Sequence, residues 1–135
     1  MPRRLPISNP DYEPFYAFID NSDLRLQKCS QCDRLRFPVS PVCYECLSSA
    51  WEWTKVSGRG RVISWVVFRR QYYDEFPAPY TVLQVELEDG PRLTANLLDF
   101  PPEDVTMDMP VTVFYEKLPE GRTLLQFRAD TAKAP

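Results

Sequence analysis

Histidine is absent from this sequence, and with it the side chain that most often moves protons near neutral pH. A Ser-His-Asp triad, a Cys-His dyad and an HExxH zinc site are therefore all excluded. Glycine is scarce as well, since the chain of 135 residues has 4 glycines and 14 prolines. This balance favours strands and irregular segments over long helices.

Long apolar runs and an excess of basic charge are also missing. The longest apolar run near the middle is Trp65–Phe68, far short of the roughly 20 residues that a membrane helix needs. The first residues, MPRRLPISNP, lack the apolar centre of a signal peptide, so we expect a cytoplasmic protein. The net charge of −3 argues against free duplex nucleic acid as the main partner, because phosphate binding needs basic residues.

The four cysteines form two CxxC pairs, which are Cys29 with Cys32 and Cys43 with Cys46. Four thiolates at this spacing are typical of a zinc ribbon, in which one tetrahedral ion holds two knuckles together. Iron bound as in rubredoxin, and cysteines that are vestigial or redox-active, are the alternatives. A shell of four sulfurs leaves no position for water, so the predicted site is structural and not catalytic.

The residues that follow the two CxxC pairs weaken this pattern. Zinc knuckles often carry glycine directly after the second cysteine, whereas this chain has Asp33 and Leu47 there. Leucine adopts left-handed backbone less readily than aspartate, so we expect looser knuckles than usual.

The second half of the sequence predicts a small barrel. The predicted strands cover residues 61–70, 80–88, 92–98, 111–116 and 123–128. The first of them is apolar on both faces, which predicts that it is covered on both sides. In the second, Leu83, Val85 and Leu87 alternate with polar residues and are expected to face a core. Five short antiparallel strands indicate an OB-fold, with an SH3-like barrel as the alternative.

The predicted fold class is therefore mainly β, with a short N-terminal helix and a zinc ribbon before a five-stranded OB-fold barrel. The predicted segments are an N-terminal arm and helix at 1–24, the ribbon at 25–57, the barrel at 58–130 and a tail at 131–135.

A short amphipathic helix is predicted over Asp11–Asp20 and carries Phe15, Tyr16, Phe18 and Ile19. A helix so rich in large apolar side chains has to bury them. Packing on its own domain is one interpretation, and contact with a partner protein is the other.

The loop Gln71–Pro79 joins the first two predicted barrel strands and holds Tyr72, Tyr73 and Phe76. Loops of this length in small barrels are often functional, and aromatic residues are enriched at interfaces. We therefore predict a partner interface here, with a loop folded over its own barrel as the alternative.

Several stretches, in order from residue 15 to residue 116, carry a resemblance to a known family. They are FYAFIDNSDLRLQKCSQC, FPVSPVCYEC, WEWTKVSGRGRVISW, APYTVLQVELEDGPRLTANLLD and MDMPVTVFYE. The chain resembles the acyl-CoA-associated OB-fold proteins with an N-terminal rubredoxin-like zinc ribbon, catalogued as domain of unknown function thirty-five. It departs from the family in the two missing knuckle glycines and in Asp108, where glycine is common.

The resemblance implies a non-catalytic subunit that binds a thiolase-superfamily enzyme, of the thiolase, acyltransferase or steroid side-chain aldolase type. It also implies structural zinc and a possible contact with an acyl-CoA thioester. A stand-alone acyl-CoA-binding protein and a single-stranded nucleic-acid-binding OB module are the alternatives. The residues agree that the chain is no enzyme on its own, because no base–nucleophile pair can be named.

Four arginines, Arg59, Arg61, Arg69 and Arg70, lie within twelve residues and close to aromatic side chains. Guanidinium groups suit phosphate recognition, so we predict that one or more of them contacts the CoA nucleotide. A partner contact, a single nucleic-acid strand and a plain solvated face are the other interpretations.

Overall fold

The structure, a computed structural model, describes residues 9–74 and 77–130 and consists mainly of β-strands. In chain order the elements are α1 (Glu13–Asp20), β1 (Arg25–Cys29), β2 (Leu35–Arg36), β3 (Trp51–Lys55), β4 (Arg59–Phe68), β5 (Tyr80–Leu87), β6 (Arg92–Leu97), a 3-10 turn (Pro102–Asp104), β7 (Pro110–Lys117) and β8 (Thr123–Ala129). The predicted mainly β class, with one short helix before the ribbon and barrel, is confirmed. No helix in the described part of the chain is long and apolar enough to cross a membrane.

The last five strands close into a barrel in the order β4-β5-β6-β8-β7. All neighbours are antiparallel except β6 and β8, which meet in parallel at Leu97 and Phe127. This is the strand order of an OB-fold, as predicted. Only a 3-10 turn stands between β6 and β7, because Pro101 and Pro102 leave no room for a longer helix.

The barrel core follows the alternation that the sequence predicts. Leu83, Val85 and Leu87 of β5 are at most 2% exposed, and Phe127 of β8 is fully buried beside them. Their polar neighbours on β5 face outward, so one side of the strand forms core and the other forms surface.

The ribbon contributes a three-stranded sheet with the order β2-β1-β3. Leu24, Leu26 and Val56, which flank or belong to these strands, lie in the same apolar cluster as the barrel residues. The hydroxyl of Tyr115 on β7 also accepts a hydrogen bond from the Leu24 N–H at 3.0 Å. Ribbon and barrel therefore share one core across the predicted boundary between 57 and 58, which stays a prediction.

Helix α1 begins at Glu13, two residues later than predicted. The Asn9 side chain accepts hydrogen bonds from the N–H groups of Asp11 and Tyr12 and holds these residues in a turn. Phe15 and Ile19 are 4% and 1% exposed and belong to the core. The hypothesis of a partner contact is wrong for these two residues, since the helix packs on its own domain.

The end of α1 is fixed to the barrel through Asp20. Its carboxylate accepts a hydrogen bond from the Thr123 N–H at 2.9 Å and pairs with Arg122 at 3.2 Å. Its carbonyl accepts a third bond from the Lys117 ammonium group at 2.7 Å. These contacts orient the helix so that Phe15 and Ile19 face inward.

Candidate functional site

The four cysteines come together at the tip of the ribbon. Cys29 ends β1, Cys32 follows in the adjoining turn, and Cys43 and Cys46 lie in the segment between β2 and β3. Their sulfur atoms all lie within 4.8 Å of one another, and none forms a disulfide. The structure therefore brings together all four predicted ligands.

The two knuckles repeat the same backbone geometry. The N–H of Asp33 bonds to the Cys29 carbonyl at 3.0 Å, and the N–H of Leu47 bonds to the Cys43 carbonyl at 3.1 Å. Both residues have left-handed backbone, with φ of 64° and 63°. The prediction of looser knuckles is wrong, because Asp33 and Leu47 adopt the conformation that glycine usually supplies.

Backbone amides prepare the first cysteine of each pair to be a thiolate. The N–H groups of Cys46 and Glu45 lower the pKa of the Cys43 thiol to about 6. The N–H of Cys32 likewise lowers the pKa of Cys29. Thiolates are the form that binds metal, so the backbone favours the charge state that a metal site requires.

The cluster fits a tetrahedral zinc ion. At a Zn–S distance of about 2.3 Å, the sulfurs of a regular tetrahedron are about 3.8 Å apart. The Sγ atoms of Cys29 and Cys46 are 3.5 Å apart, and those of Cys32 and Cys43 are 3.6 Å apart. Four soft sulfur donors also match the preferences of zinc, and they would complete its shell without water.

A second feature lies on the outer face of the barrel, at the end of β4. Val66 is 54% exposed and Phe68 is 38% exposed. The Phe68 ring stacks on Tyr80 of β5, with centroids 4.9 Å apart. The prediction that this strand is covered on both sides is wrong, because no described element forms a second layer outside the barrel. The sequence could have indicated this exposure, since the one short helix that it predicts cannot cover both faces of the strand.

The loop after β4 carries two further exposed aromatic side chains. Tyr72 is 60% exposed and Tyr73 is 47% exposed, and the Arg70 guanidinium lies 5.3 Å from the centroid of the Tyr72 ring. We call Val66, Phe68, Tyr72 and Tyr73 the outer β4 patch. Phe76, the third predicted aromatic residue of this loop, lies outside the described residues.

The remaining helix residues of the predicted partner interface are half-buried against their own chain. The Tyr16 ring lies under Arg122, and burial raises its pKa. Phe18 packs edge-on against Trp53 at 5.6 Å. These two side chains offer less apolar surface than the outer β4 patch.

The four arginines do not form one cluster. Arg59 and Arg61 lie at the start of β4, whereas Arg69 and Arg70 follow its end, about 25 Å away for eight extended residues. Arg61 is paired with Glu86 at 2.8 Å and with Asp108, and these bonds raise its pKa.

Arg59 pairs with Glu88 at 3.2 Å. The predicted four-arginine cluster is therefore wrong in its geometry, and the ion pairs leave Arg59 and Arg61 with little positive charge for a phosphate. Asp108, which stands where the family commonly has glycine, has a φ of 64°, and its pairing with Arg61 was not predicted from the sequence.

Two family models match consecutive parts of the chain. The rubredoxin-like zinc ribbon domain of ChsH2 matches residues 20–52, and the C-terminal OB-fold domain of ChsH2 matches residues 53–115. A "DUF35 domain-containing scaffold protein" of Methanothermobacter thermautotrophicus is 38% identical over 96 residues, which are 69% of this chain and 71% of that protein.

Two further likenesses carry enzyme names. A "probable enoyl-CoA hydratase alpha subunit" of Thermomonospora curvata is 32% identical over 126 residues, or 93% of this chain, but the chain spans only 40% of that protein's length. A chain in the solved structure "Ltp2-ChsH2(DUF35) aldolase" superposes with a TM-score of 0.86 at 32% identity, covering 93% of this chain and 98% of that one.

Proposed function

The chain belongs to the DUF35 family, and from this premise we propose that it is a non-catalytic subunit of a thiolase-type enzyme complex that acts on acyl-CoA thioesters. The resemblance noted from its motifs and the likeness to the chain of the Ltp2-ChsH2(DUF35) aldolase support the proposal. The name "scaffold protein" among its relatives points to the same role.

The side-chain chemistry supports a non-catalytic role. The sequence has no histidine, and its only thiols are the four of the cysteine cluster. A cleft of about 360 Å³ runs beside Arg61, Glu86 and Asp108, but the Arg61 guanidinium donates hydrogen bonds to both carboxylates. We find no base poised against a nucleophile among the described residues, and such a pair is what acyl-group chemistry needs.

Zinc would serve this subunit as a structural ion. Cys29, Cys32, Cys43 and Cys46 would hold it at the ribbon tip, and the ion would replace the apolar packing that so short a segment lacks. The ion would take no part in the chemistry of the partner, because its four sulfur ligands leave no open position.

The observation that carries the proposal is the outer β4 patch. Val66 and Phe68 lie two residues apart on the outward face of β4, and two exposed tyrosines follow shortly after Phe68 in the chain. Single exposed apolar residues are common, whereas groups of them mark interaction sites. Its tyrosines are also of the residue type enriched at protein interfaces. We propose that the patch contacts the thiolase-type enzyme.

The test is co-expression with the thiolase-type protein encoded nearest to this chain, followed by size exclusion and titration of the separated partners. Val66→Asp should weaken the complex about tenfold or more, because it places a charge in an apolar interface. Val42→Asp is the matched control, since Val42 is 39% exposed but lies on the ribbon. Equal affinity for Val66→Asp and wild type would reject the patch, and absence of any complex would reject the proposed function.

A contact with CoA is the finer part of the proposal and rests on Arg69 and Arg70 alone. Neither pairs with a described carboxylate, in contrast to Arg59 and Arg61. Calorimetry with acetyl-CoA, at protein concentrations where each complex stays fully assembled, should show weaker binding for Arg69→Ala and Arg70→Ala. Unchanged affinity in both variants would remove CoA contact from this chain.

The hydratase name of one relative does not transfer to this chain. The match spans 40% of the relative's length, so its activity belongs to a protein with more than these segments. Assays of the isolated chain with an enoyl-CoA should give no hydration, and turnover would overturn the non-catalytic assignment.

A further inference from the structure

Among the described strands, only β5 borders the second half of β4. The strand runs over Arg59–Phe68 and pairs with β5 along its length, but it pairs with β7 only from Arg59 to Arg61. Val62 then bonds to Met109 and Asp108 just before β7. From residue 63 to residue 68, no bond to any other described backbone or side-chain group is seen on the side away from β5.

The hydrogen-bonding parity shows which groups face this open edge. Val62 directs its N–H and C=O toward the β7 side, and a bulge shifts the register between Val62 and Ser64. Ser64, Val66 and Phe68 then stand opposite the β5 residues whose backbone faces β4. The intervening Trp65 and Val67 therefore direct their N–H and C=O groups outward.

Apart from the bulge at its start, this edge shows little of the usual protection against pairing among the described residues. Natural edge strands carry charges, prolines or a covering loop, which keep other strands away. Residues 63–68, with the sequence ISWVVF, contain neither a charge nor a proline, and none of them is fully buried. The segment is also rich in the β-branched and aromatic residues that favour strand pairing.

We propose that this edge receives an extended segment of a partner protein as an added strand, with apolar residues at alternate positions and an acidic residue beside Arg69 and Arg70. The partner is the enzyme of the proposed function, on which this inference rests. Backbone groups of Trp65 and Val67 would bond to the incoming strand, and its apolar side chains would extend the outer β4 patch.

The positive charge of Arg69 and Arg70 favours an acidic partner segment, and not a second copy of this chain, as the added strand. Arg61 is paired with Glu86 and Asp108, whereas Arg69 and Arg70 pair with no carboxylate among the described residues, so their charge favours an acidic group. In an antiparallel pairing of two copies, the Arg61 end of one β4 would meet the Arg69 end of the other. The carboxylates there, Glu86 and Asp108, are already bonded to Arg61.

Amide hydrogen exchange on the intact complex tests the added strand directly. In the metal-loaded chain alone, the Trp65 and Val67 amides should exchange within seconds to minutes, and the enzyme should slow them about tenfold or more. A complex without this protection would overturn the inference and leave the proposed function standing. Absence of any complex would reject both the added strand and the proposed function. Protection of these amides in a dimer of the chain alone would show that a second copy of the chain, and not the enzyme, occupies the edge.

Two substitutions sharpen the result. Val67→Pro removes one outward N–H and should weaken the complex about tenfold, whereas Val67→Ala keeps that N–H and should cost less than about threefold. Circular dichroism of the free variants shows whether each is folded, and the exchange data on the natural chain decide if one is not. Equal affinities of the two folded variants would contradict the proposal.

The charged end is tested without CoA present, so that any effect reports on the protein partner. Arg69→Glu with Arg70→Glu should weaken the complex, more so at low salt, and Arg34→Glu on the ribbon is the matched control. Unchanged affinity of the double variant would remove the acidic residue from the proposal.

Discussion

The ribbon and the barrel are stabilised in different ways. The barrel closes five strands around buried side chains such as Leu83, Val85 and Phe127. The ribbon has a strand of only two residues, Leu35–Arg36, and gathers four sulfur atoms at its tip. Apolar burial therefore stabilises one region, whereas the proposed zinc ion would order the far end of the other.

The two regions are nevertheless joined at their common end. Leu24 and Leu26 of the ribbon enter the barrel cluster, and Tyr115 of the barrel accepts a hydrogen bond from the Leu24 N–H. The ribbon is thus anchored by apolar contacts at its base and by thiols at its tip. We therefore expect that removing a thiol will disorder mainly the tip of the ribbon, and that removing an apolar contact will destabilise mainly its base.

The largest effect is expected from Cys43→Ser, which removes one of the four proposed zinc ligands. Zinc content should fall to near zero, and amide protection should be lost at the ribbon tip, because the tip has few other buried contacts. Protection at Leu83 and Val85 should persist, with the barrel melting only a few degrees lower. Elemental analysis and hydrogen exchange measure both.

Ser49→Ala, at an exposed position of the same segment, is the control and should change neither quantity. A barrel that unfolds together with the ribbon would show that the two regions form one cooperative unit.

Next in size is Phe127→Ala in the barrel. This side chain is fully buried, so its removal should lower the free energy of unfolding by about 3–5 kcal/mol, measured by urea denaturation. Zinc content of the folded fraction should stay unchanged. Phe127→Leu should cost clearly less, and equal losses for the two variants would mean that the cavity does not form as we expect.

A smaller effect is expected at the junction, from Tyr115→Phe. This change leaves the Leu24 N–H without its acceptor and should cost about 1 kcal/mol. Tyr72→Phe, at an exposed position, should be neutral. A neutral Tyr115→Phe would show that the hydrogen bond contributes nothing to the joint.

The same tyrosine gives the junction a pH dependence. Burial raises the Tyr115 pKa above its ordinary value of 10.0, so the folded state holds this proton more tightly than the unfolded chain does. Its contribution is fully present below pH 10 and is lost as the pH rises through the higher folded pKa. Between about pH 8 and pH 12, the free energy of unfolding should therefore fall less steeply for Tyr115→Phe than for the natural chain.

The smallest effect, and a favourable one, is expected from Leu47→Gly. Leu47 has a φ of 63°, which strains a leucine backbone but not a glycine. Relief of strain, offset in part by the entropy of glycine, should raise stability by about 0.5 kcal/mol. Thermal unfolding of the zinc-loaded chain measures it, and Leu47→Ala should give no such gain because it keeps the strain.

The sequence predicted those structural features that depend on residues close together in the chain. The spacing of Cys29 and Cys32 located one knuckle, and the alternation at Leu83 and Val85 located the inner face of a barrel strand. Both depend on residues two or three positions apart, where chain geometry is fixed.

Features made by distant residues were not predictable in the same way. Arg61 meets Asp108 across 47 positions, and nothing in either neighbourhood specifies that pair. The exposure of Val66 likewise depends on whether another layer covers the strand, which its own composition cannot show. At Leu47 the local sequence was misleading, because the knuckle imposes a backbone conformation that leucine disfavours.

The position of one tryptophan gives the ribbon an optical signal of its own. Trp51 on β3 is paired across the sheet with Cys29, and its ring packs edge-on against Trp53 at 5.1 Å. The remaining indole, that of Trp65, belongs to the barrel strand β4. Selective replacement of Trp65 by phenylalanine would therefore leave an emission spectrum that reports on the surroundings of the sulfur cluster, so that metal uptake could be followed in real time without an added dye.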